Sequence, residues 1–132
     1  MTESLFRKLT PVLMVDVIEP CLPLWLDRLG WEQTAAVPEG DRLGFVILAK
    51  DGLELMYQSW ASVEKDLGQR REHPPTTSVA LYFEVADLAD IERRIQGVPV
   101  ALPRRRTFYG MDEIGVHEAG GHLVIFAQPA AH

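Results

Sequence analysis

The chain has 132 residues, 47% of them hydrophobic and 24% charged, which is typical of a single globular domain with one core. Its net charge of −6 at pH 7 argues against a nucleic-acid partner, because the one basic cluster, Arg104–Arg106, is too short to follow a phosphate backbone. The sequence has no membrane-length apolar run, no signal-peptide pattern and a single cysteine, Cys21, so we expect a cytoplasmic protein without a membrane partner.

The first half of the chain predicts a strand, a helix and three more strands. Residues 11–15 form a short apolar run, and residues 19–30 carry apolar side chains at helical spacing up to the stop at Gly30. Pro20 and Pro23 fall in the first turn of that helix, where a missing N–H costs little. The three strands are predicted at 31–37, 42–49 and 53–58, and residues 59–69 are predicted to form a loop and a short helix.

The second half repeats this order. Residues 79–85 form a strand, and residues 86–97 form a helix with Leu88, Ile91 and Ile95 on one face. Strands are then predicted at 98–103, 111–117 and 122–127. A repeat of roughly 8–60 and 77–128 within one domain, residues 1–132, predicts an α+β fold of two βαβββ modules whose sheets curve around a shared cavity.

Three segments resemble the vicinal oxygen chelate superfamily, also called the glyoxalase/bleomycin resistance/dioxygenase superfamily. Residues 11–31, PVLMVDVIEPCLPLWLDRLGW, are similar to its opening strand and helix, and residues 82–95, YFEVADLADIERRI, are similar to the matching opening of its second half. Residues 108–128, FYGMDEIGVHEAGGHLVIFAQ, resemble its closing hairpin. Together the segments cover nearly the whole chain, and the resemblance implies the glyoxalase-like arrangement of two modules.

The resemblance also implies where a metal would bind. Metal-dependent members place His, Glu or Gln ligands on the opening and closing strands of each half, and those positions fall here on Thr10, Glu54, Ala80 and Ile125. Only Glu54 is a strong donor, whereas a divalent ion needs three or four donors to replace its hydration shell. We therefore expect no metal at these positions and no cofactor.

Two histidines, His117 and His122, flank the glycine-rich turn of the last hairpin. With a two-residue connection they would face each other and, with a carboxylate, could hold a weakly bound metal. With a longer connection His122 joins Val124 and Phe126 on the helix side, and His117 points with Glu113 toward the cavity. We favour the second arrangement, in which His122 is a hydrogen-bonding residue at the base of the hairpin.

Alternation along the strands predicts which side chains face the cavity. The predicted ligand-binding residues combine carboxylates with aromatic and apolar groups: Glu54, Met56, Trp60, Tyr82, Glu84, Tyr109 and Glu113. Trp60 is a lid over the cavity, an interface residue or a plain packing residue. The predicted core residues lie on the opposite strand faces or on the helix: Cys21, Trp25, Trp31, Leu53, Leu55, Tyr57, Leu81, Phe83 and Val85.

Arg104, Arg105 and Arg106 are predicted on the loop before the last hairpin, together with Tyr109. Alternation would turn at least one arginine inward, where it would pair with Glu54 or Glu84 or hold an anionic ligand.

These observations favour a small-molecule binding protein without the metal site, with a partly aromatic ligand held in the cavity. One alternative is a metal-dependent lyase, isomerase or dioxygenase that uses Glu54. Another is a metal-free enzyme in which a buried carboxylate, with Glu54 as the candidate catalytic residue, acts as a base. We also expect a homodimer, because small curved sheets leave apolar edges to cover.

Overall fold

The computed structural model describes residues 5–68 and 78–131. It contains two modules, each built on a four-stranded mixed sheet. The strands of the first module are β1 (Val12–Val15), β2 (Glu32–Glu39), β3 (Arg42–Lys50) and β4 (Leu53–Ser59). The strands of the second are β5 (Ala80–Glu84), β6 (Val100–Arg106), β7 (Met111–His117) and β8 (Leu123–Pro129). The helical elements are a 3₁₀ turn (Glu19–Cys21), a π-helical turn (Leu24–Arg28), α1 (Trp60–Leu67) and α2 (Leu88–Arg94).

Both sheets have the same topology, β1-β4-β3-β2 and β5-β8-β7-β6. In each, the opening strand runs parallel to the closing strand, and the other neighbours are antiparallel. The α+β fold of two βαβββ modules is thereby confirmed. None of the helices in the two described ranges is long and apolar enough to cross a membrane.

The first predicted helix lies where expected but is broken. Proline at position 23 lacks the N–H that a continuous helix needs, and its ring would clash with the carbonyl four residues earlier. The chain instead makes the 3₁₀ turn and then a wider turn, in which the Leu29 N–H donates to the Leu24 carbonyl at 3.1 Å. Gly30, with φ of 74°, ends the element as predicted.

Local side chains set the other boundaries. The Ser59 hydroxyl accepts from the Ser62 N–H at the start of α1, and the Asp87 carboxylate caps α2 in the same way through Asp90. Asp51 and Gly52 join β3 to β4 with φ values of 52° and 80°, the left-handed conformation that a two-residue hairpin turn requires.

One continuous cluster of buried residues spans both modules, from Leu13 in β1 to Phe126 in β8. Trp25 and Trp31 cross the boundary and pack against Phe83, with ring centroids 5.8 and 5.9 Å apart. Both tryptophans are core residues, as predicted.

Two sequence-based placements are wrong. Leu53 is 51% exposed, because it is the first residue of β4 after the turn and lies beyond the cover of the helical layer. Arg104, Arg105 and Arg106 lie on strand β6 and not on a loop, since β6 extends further toward the hairpin than the predicted 98–103.

Candidate functional site

A cavity of about 540 Å³ lies between the start of β4 in the first module and β5 in the second. Three of the predicted ligand-binding residues, Glu54, Tyr82 and Glu84, line it together. Apolar and aromatic side chains form the rest of its wall, among them Leu9, Pro11, Trp31, Leu53 and Phe83. Its size and its mixture of apolar walls with a few polar groups are typical of small-molecule sites.

Glu54, the candidate catalytic carboxylate, is held in an ion pair. The Lys8 amine lies 2.8 Å from its Oε1 atom, and the Glu54 side chain is 26% exposed. Lys8 precedes β1 and also lines the cavity. The carboxylate therefore lines the cavity while it is paired with the Lys8 amine.

Tyr82 connects this cavity to a second group of polar residues on the same face of the second sheet. Its hydroxyl donates to Glu113 Oε2 at 2.9 Å, and the Tyr109 hydroxyl donates to the same atom at 3.4 Å. Arg105 donates to the other oxygen, Oε1, from Nε at 3.0 Å and from Nη2 at 2.8 Å. Glu113 is 1% exposed and receives four hydrogen bonds, so it organises the two tyrosines and the arginine around itself.

The protonation state of Glu113 follows from these contacts. Burial is the largest single effect and opposes ionisation, but the hydrogen bonds and charge of Arg105, with the hydrogen bond from Tyr82, outweigh it in sum. Together they lower the pKa of Glu113 below its ordinary value. A carboxylate that is already ionised and fully bonded is a poor proton acceptor.

The arginine partners differ from those predicted. Arg105 pairs with Glu113 and not with Glu54 or Glu84, because antiparallel pairing of β6 with β7 sets Arg105 directly opposite Glu113. Arg104 instead bonds Glu92 on α2, and Arg106 bonds Asp112. These pairs could be predicted only from the register of β6 against β7. That register has two irregularities, which the sequence does not indicate.

Solved structures share this architecture over nearly the whole chain. TioX from Micromonospora sp. ML1 is 15% identical with a TM-score of 0.73, over 94% of this chain and 99% of that one. A glyoxalase/bleomycin resistance protein/dioxygenase from Nocardioides is 14% identical with a TM-score of 0.74, over 98% and 87%. The chain has the vicinal oxygen chelate fold.

Two further structures with this fold differ in their described roles. A lactoylglutathione lyase from Agrobacterium tumefaciens is 16% identical over 92% of each chain, with a TM-score of 0.73. TnmS3 from Streptomyces sp. CB03234, described as an antibiotic binding protein, is 18% identical over 96% of this chain and 100% of that one, with a TM-score of 0.68. No family model matches the sequence, and neither does any curated protein.

The vicinal oxygen chelate metal positions can now be compared with the strand register. Val12 lies opposite Met56, which by extension of the parallel register sets Thr10 beside Glu54. In the second module Ala80 lies opposite Leu123, whereas Ile125 lies opposite Tyr82. The predicted fourth position was therefore displaced by two residues. Leu123 is no better a ligand than Ile125, so Glu54 is still the single strong donor of the four.

No group of three or more His, Cys, Asp or Glu side chains within 5–68 and 78–131 is arranged to hold a metal ion. The four compared positions thus do not supply the three or four donors that a divalent ion needs.

The two histidines of the last hairpin point to opposite faces, in the arrangement that we favoured. His117 pairs with Leu123 and is exposed, on the same face of β7 as Glu113. His122 is 5% exposed, and its Nδ1 accepts from the Val79 N–H at 2.9 Å. The ring proton must therefore lie on Nε2, which donates to the Met14 carbonyl at 3.1 Å. His122 joins the two modules and is not a ligand of a metal.

The remaining predicted residues lie outside the cavity wall. Met56 follows Glu54 on the same face of β4. Trp60 begins α1, at the far end of that strand. It lines neither this cavity nor a second cavity of about 510 Å³ that adjoins it. Trp31, which we assigned to the core alone, lines both. The position of Trp31 after Gly30 did not predict a place in the cavity wall, because the residues on the opposite side of each cavity come from the second module.

A buried chain of hydrogen bonds was also missed. Trp25 Nε1 donates to the Tyr57 hydroxyl at 3.0 Å, and that hydroxyl donates to Glu118 Oε2 at 2.7 Å. Glu118 is 4% exposed, and its Oε1 accepts from the His122 N–H at 2.6 Å. Burial and then the Glu118 charge raise the pKa of the nearby Cys21 thiol to about 12, which disfavours the nucleophilic thiolate form.

Proposed function

We propose that the chain binds a small, partly aromatic molecule in the cavity between β4 and β5, without the metal of the vicinal oxygen chelate enzymes and without chemistry on the ligand. The observation that supports this most is the convergence of Glu54, Tyr82 and Glu84 from two modules on one cavity of about 540 Å³. Aromatic walls bury apolar surface, while a few polar groups orient the ligand.

The groups that could perform chemistry are already occupied. Glu113 is ionised and holds Arg105 and two tyrosine hydroxyls, and Glu54 is paired with Lys8. The Cys21 thiol is buried with a raised pKa. A binding role needs none of these groups to give up its partner, whereas a base or a nucleophile would.

TnmS3 and TioX share the fold over nearly their whole length, and the description of TnmS3 as an antibiotic binding protein supports the proposal of a binding role. At 18% identity that likeness concerns the fold alone, so the ligand has to be found by experiment. The cavity favours a ligand with an aromatic portion and hydrogen-bond donors that meet Glu84 and the backbone around it.

We also propose that the protein works as a homodimer in the cytoplasm, with the ligand contacted near the subunit interface. The open face of the second sheet and its hairpin tip expose Tyr82, Tyr109 and Phe108, the last of them fully. Large exposed aromatic groups are enriched at protein interfaces. Light scattering at micromolar concentration should therefore give the mass of two chains, and the mass of one chain would contradict the dimer.

Binding can be tested with a stability screen of aromatic natural products, followed by titration of the best ligand. Glu54→Gln and Tyr82→Ala should each weaken its affinity about threefold to thirtyfold, as expected for the loss of one oriented polar or aromatic contact. Asp41→Asn, which removes one exposed carboxylate from the distant β2–β3 turn, is the matched control. If both cavity variants bind as tightly as the parent chain, the site has been assigned to the wrong surface.

The metal-dependent alternative has its own measurement. Elemental analysis of protein purified without added metal should find no stoichiometric zinc, nickel, iron or manganese. A bound metal that is lost in Glu54→Ala would reverse the proposal in favour of an enzyme.

A further inference from the structure

A second cavity, of about 510 Å³, adjoins the first but lies on the helical side of the molecule. The two share a wall made by Trp31, Leu53, Phe83 and Glu84. Beyond that wall the second cavity reaches α2, with Ile91 and Arg94, and the π-helical turn, with Trp25 and Leu29. Glu84 lines both cavities, whereas Glu54 and Tyr82 line only the first, so these two residues distinguish the two spaces.

Its floor is aromatic. Trp25 and Trp31 meet edge to face at 5.1 Å, Trp31 meets Phe83 edge to face at 5.9 Å, and Phe83 stacks on Phe126 at 6.0 Å. Trp25 and Phe126 lie beneath this surface at 0% and 2% exposure, so the rings that a ligand can contact are those of Phe83 and of Trp31, which is 9% exposed. Ring faces attract cations as well as other rings, because the π electrons make each face negative.

Its rim is acidic. The wall contains four carboxylates and two basic groups, which leaves an excess of two negative charges: Asp51, Glu84, Asp87, Asp90, Lys50 and Arg94. Arg94 and Asp90 form an ion pair, with Nε 2.9 Å from the carboxylate, and cancel each other. The excess of two negative charges therefore comes from Asp51, Glu84 and Asp87 against Lys50. Asp51 and Glu84 form no ion pair with any residue in 5–68 or 78–131, and both are exposed.

We propose that this second cavity is a binding site for an organic cation with an aromatic or apolar body, such as a quaternary or protonated amine. The aromatic floor would cover the body, and Asp51 and Glu84 at the mouth would face the positive charge. Neutral molecules of the same shape lack the attraction to these carboxylates and should bind more weakly, and anions are repelled by the rim. The site shares Glu84 with the β4–β5 cavity, whereas Asp51 belongs to the second cavity alone.

The turn that holds Asp51 offers a clean variant. Asp51 has a positive φ of 52°, which only glycine, asparagine and aspartate adopt readily. Asp51→Asn therefore keeps the turn and removes the charge. Asp41→Asn makes the same change in the other hairpin turn of this module, away from the cavity, and is the matched control.

The full chain is titrated separately with three probes, and tryptophan fluorescence reports binding. The probes are the cation benzyltrimethylammonium, its neutral carbon analogue neopentylbenzene and the anion benzenesulfonate. The ammonium ion should bind at least threefold more tightly than the neutral analogue, and benzenesulfonate more weakly than either. Asp51→Asn and Glu84→Gln should each lower the affinity for the ammonium ion about twofold to fivefold, and Asp41→Asn should leave that affinity unchanged.

Location is decided by nuclear Overhauser contacts from the N-methyl protons of the probe. Contacts to the Ile91 methyl groups and the Phe83 ring are expected. The proposal is wrong if the ammonium ion and its neutral analogue bind with equal affinity. It is also wrong if Tyr82→Ala lowers the affinity for the ammonium ion while Asp51→Asn does not. The latter result would place the cation in the first cavity, and so it would overturn the second site while supporting the first.

Discussion

Replacement of Tyr57 by phenylalanine probes the buried hydrogen-bond chain that joins the two modules. The change removes one oxygen atom from a side chain that is 0% exposed. Two bonds are lost: the Trp25 indole N–H loses its acceptor at 3.0 Å, and Glu118 Oε2 loses its donor at 2.7 Å. Water cannot replace either bond without opening the core.

The magnitude follows from the type of each bond. A buried donor left without a partner costs about 1–3 kcal/mol, and a hydrogen bond to a charged group contributes about 1.5–3 kcal/mol. Partial relaxation makes the sum smaller than the two maxima, so we expect a loss of about 3 kcal/mol in the free energy of unfolding. For a chain of this length that corresponds to a fall of about 10 °C in Tm.

Urea denaturation followed by circular dichroism measures this loss, with Tyr82→Phe as the matched control. Tyr82 also donates to a buried carboxylate, Glu113, at 2.9 Å, but Tyr82 is 48% exposed. Water can take the place of its hydroxyl, so the control should lose less than about 1 kcal/mol. Equal losses in the two variants would refute the reasoning, because burial would then have no influence on the cost of the missing hydroxyl.

Three other measurements test separate parts of the structure. Gly120→Ala should lower the free energy of unfolding by about 1–3 kcal/mol, because the new Cβ would clash with Val15 Cγ1, and the loss should shrink when Val15→Ala is added; purely additive losses would contradict the contact. Since the pKa of Glu113 is lowered in the folded chain, its stabilisation is fully present above its ordinary value of 4.5 and is lost as the pH falls through the folded value. Arg105→Ala should therefore flatten the acid limb of the stability profile, and an unchanged limb would exclude that ion pair as its cause. Cys21, 1% exposed and with a pKa of about 12, should resist a thiol reagent at pH 8 in the folded chain and react at once in urea; rapid labelling of the folded chain would contradict its burial.

The order of the elements and most of their faces could be predicted from local sequence patterns. Period-two alternation marked Leu55 and Tyr57 as core and Glu54 as its opposite, because successive strand residues must point to opposite faces whatever lies beyond them. The helical spacing of Leu88 and Ile95 predicted α2 for the same local reason. The inward orientation of His122 was predicted from the alternation of Val124 and Phe126, because His122 lies two residues before Val124.

The partners of each face could not be predicted in this way, because they depend on how the strands and modules pack. Arg105 was expected to meet Glu54 or Glu84 and instead binds Glu113, because the irregular register of β6 against β7 is set by the whole sheet and by no local pattern. Trp31 looked like a core residue from its own neighbours, yet it lines two cavities because the second module ends beside it. The contacts that make the candidate site join residues from the two halves of the chain, and such pairings depend on how the modules pack, which local propensity does not encode.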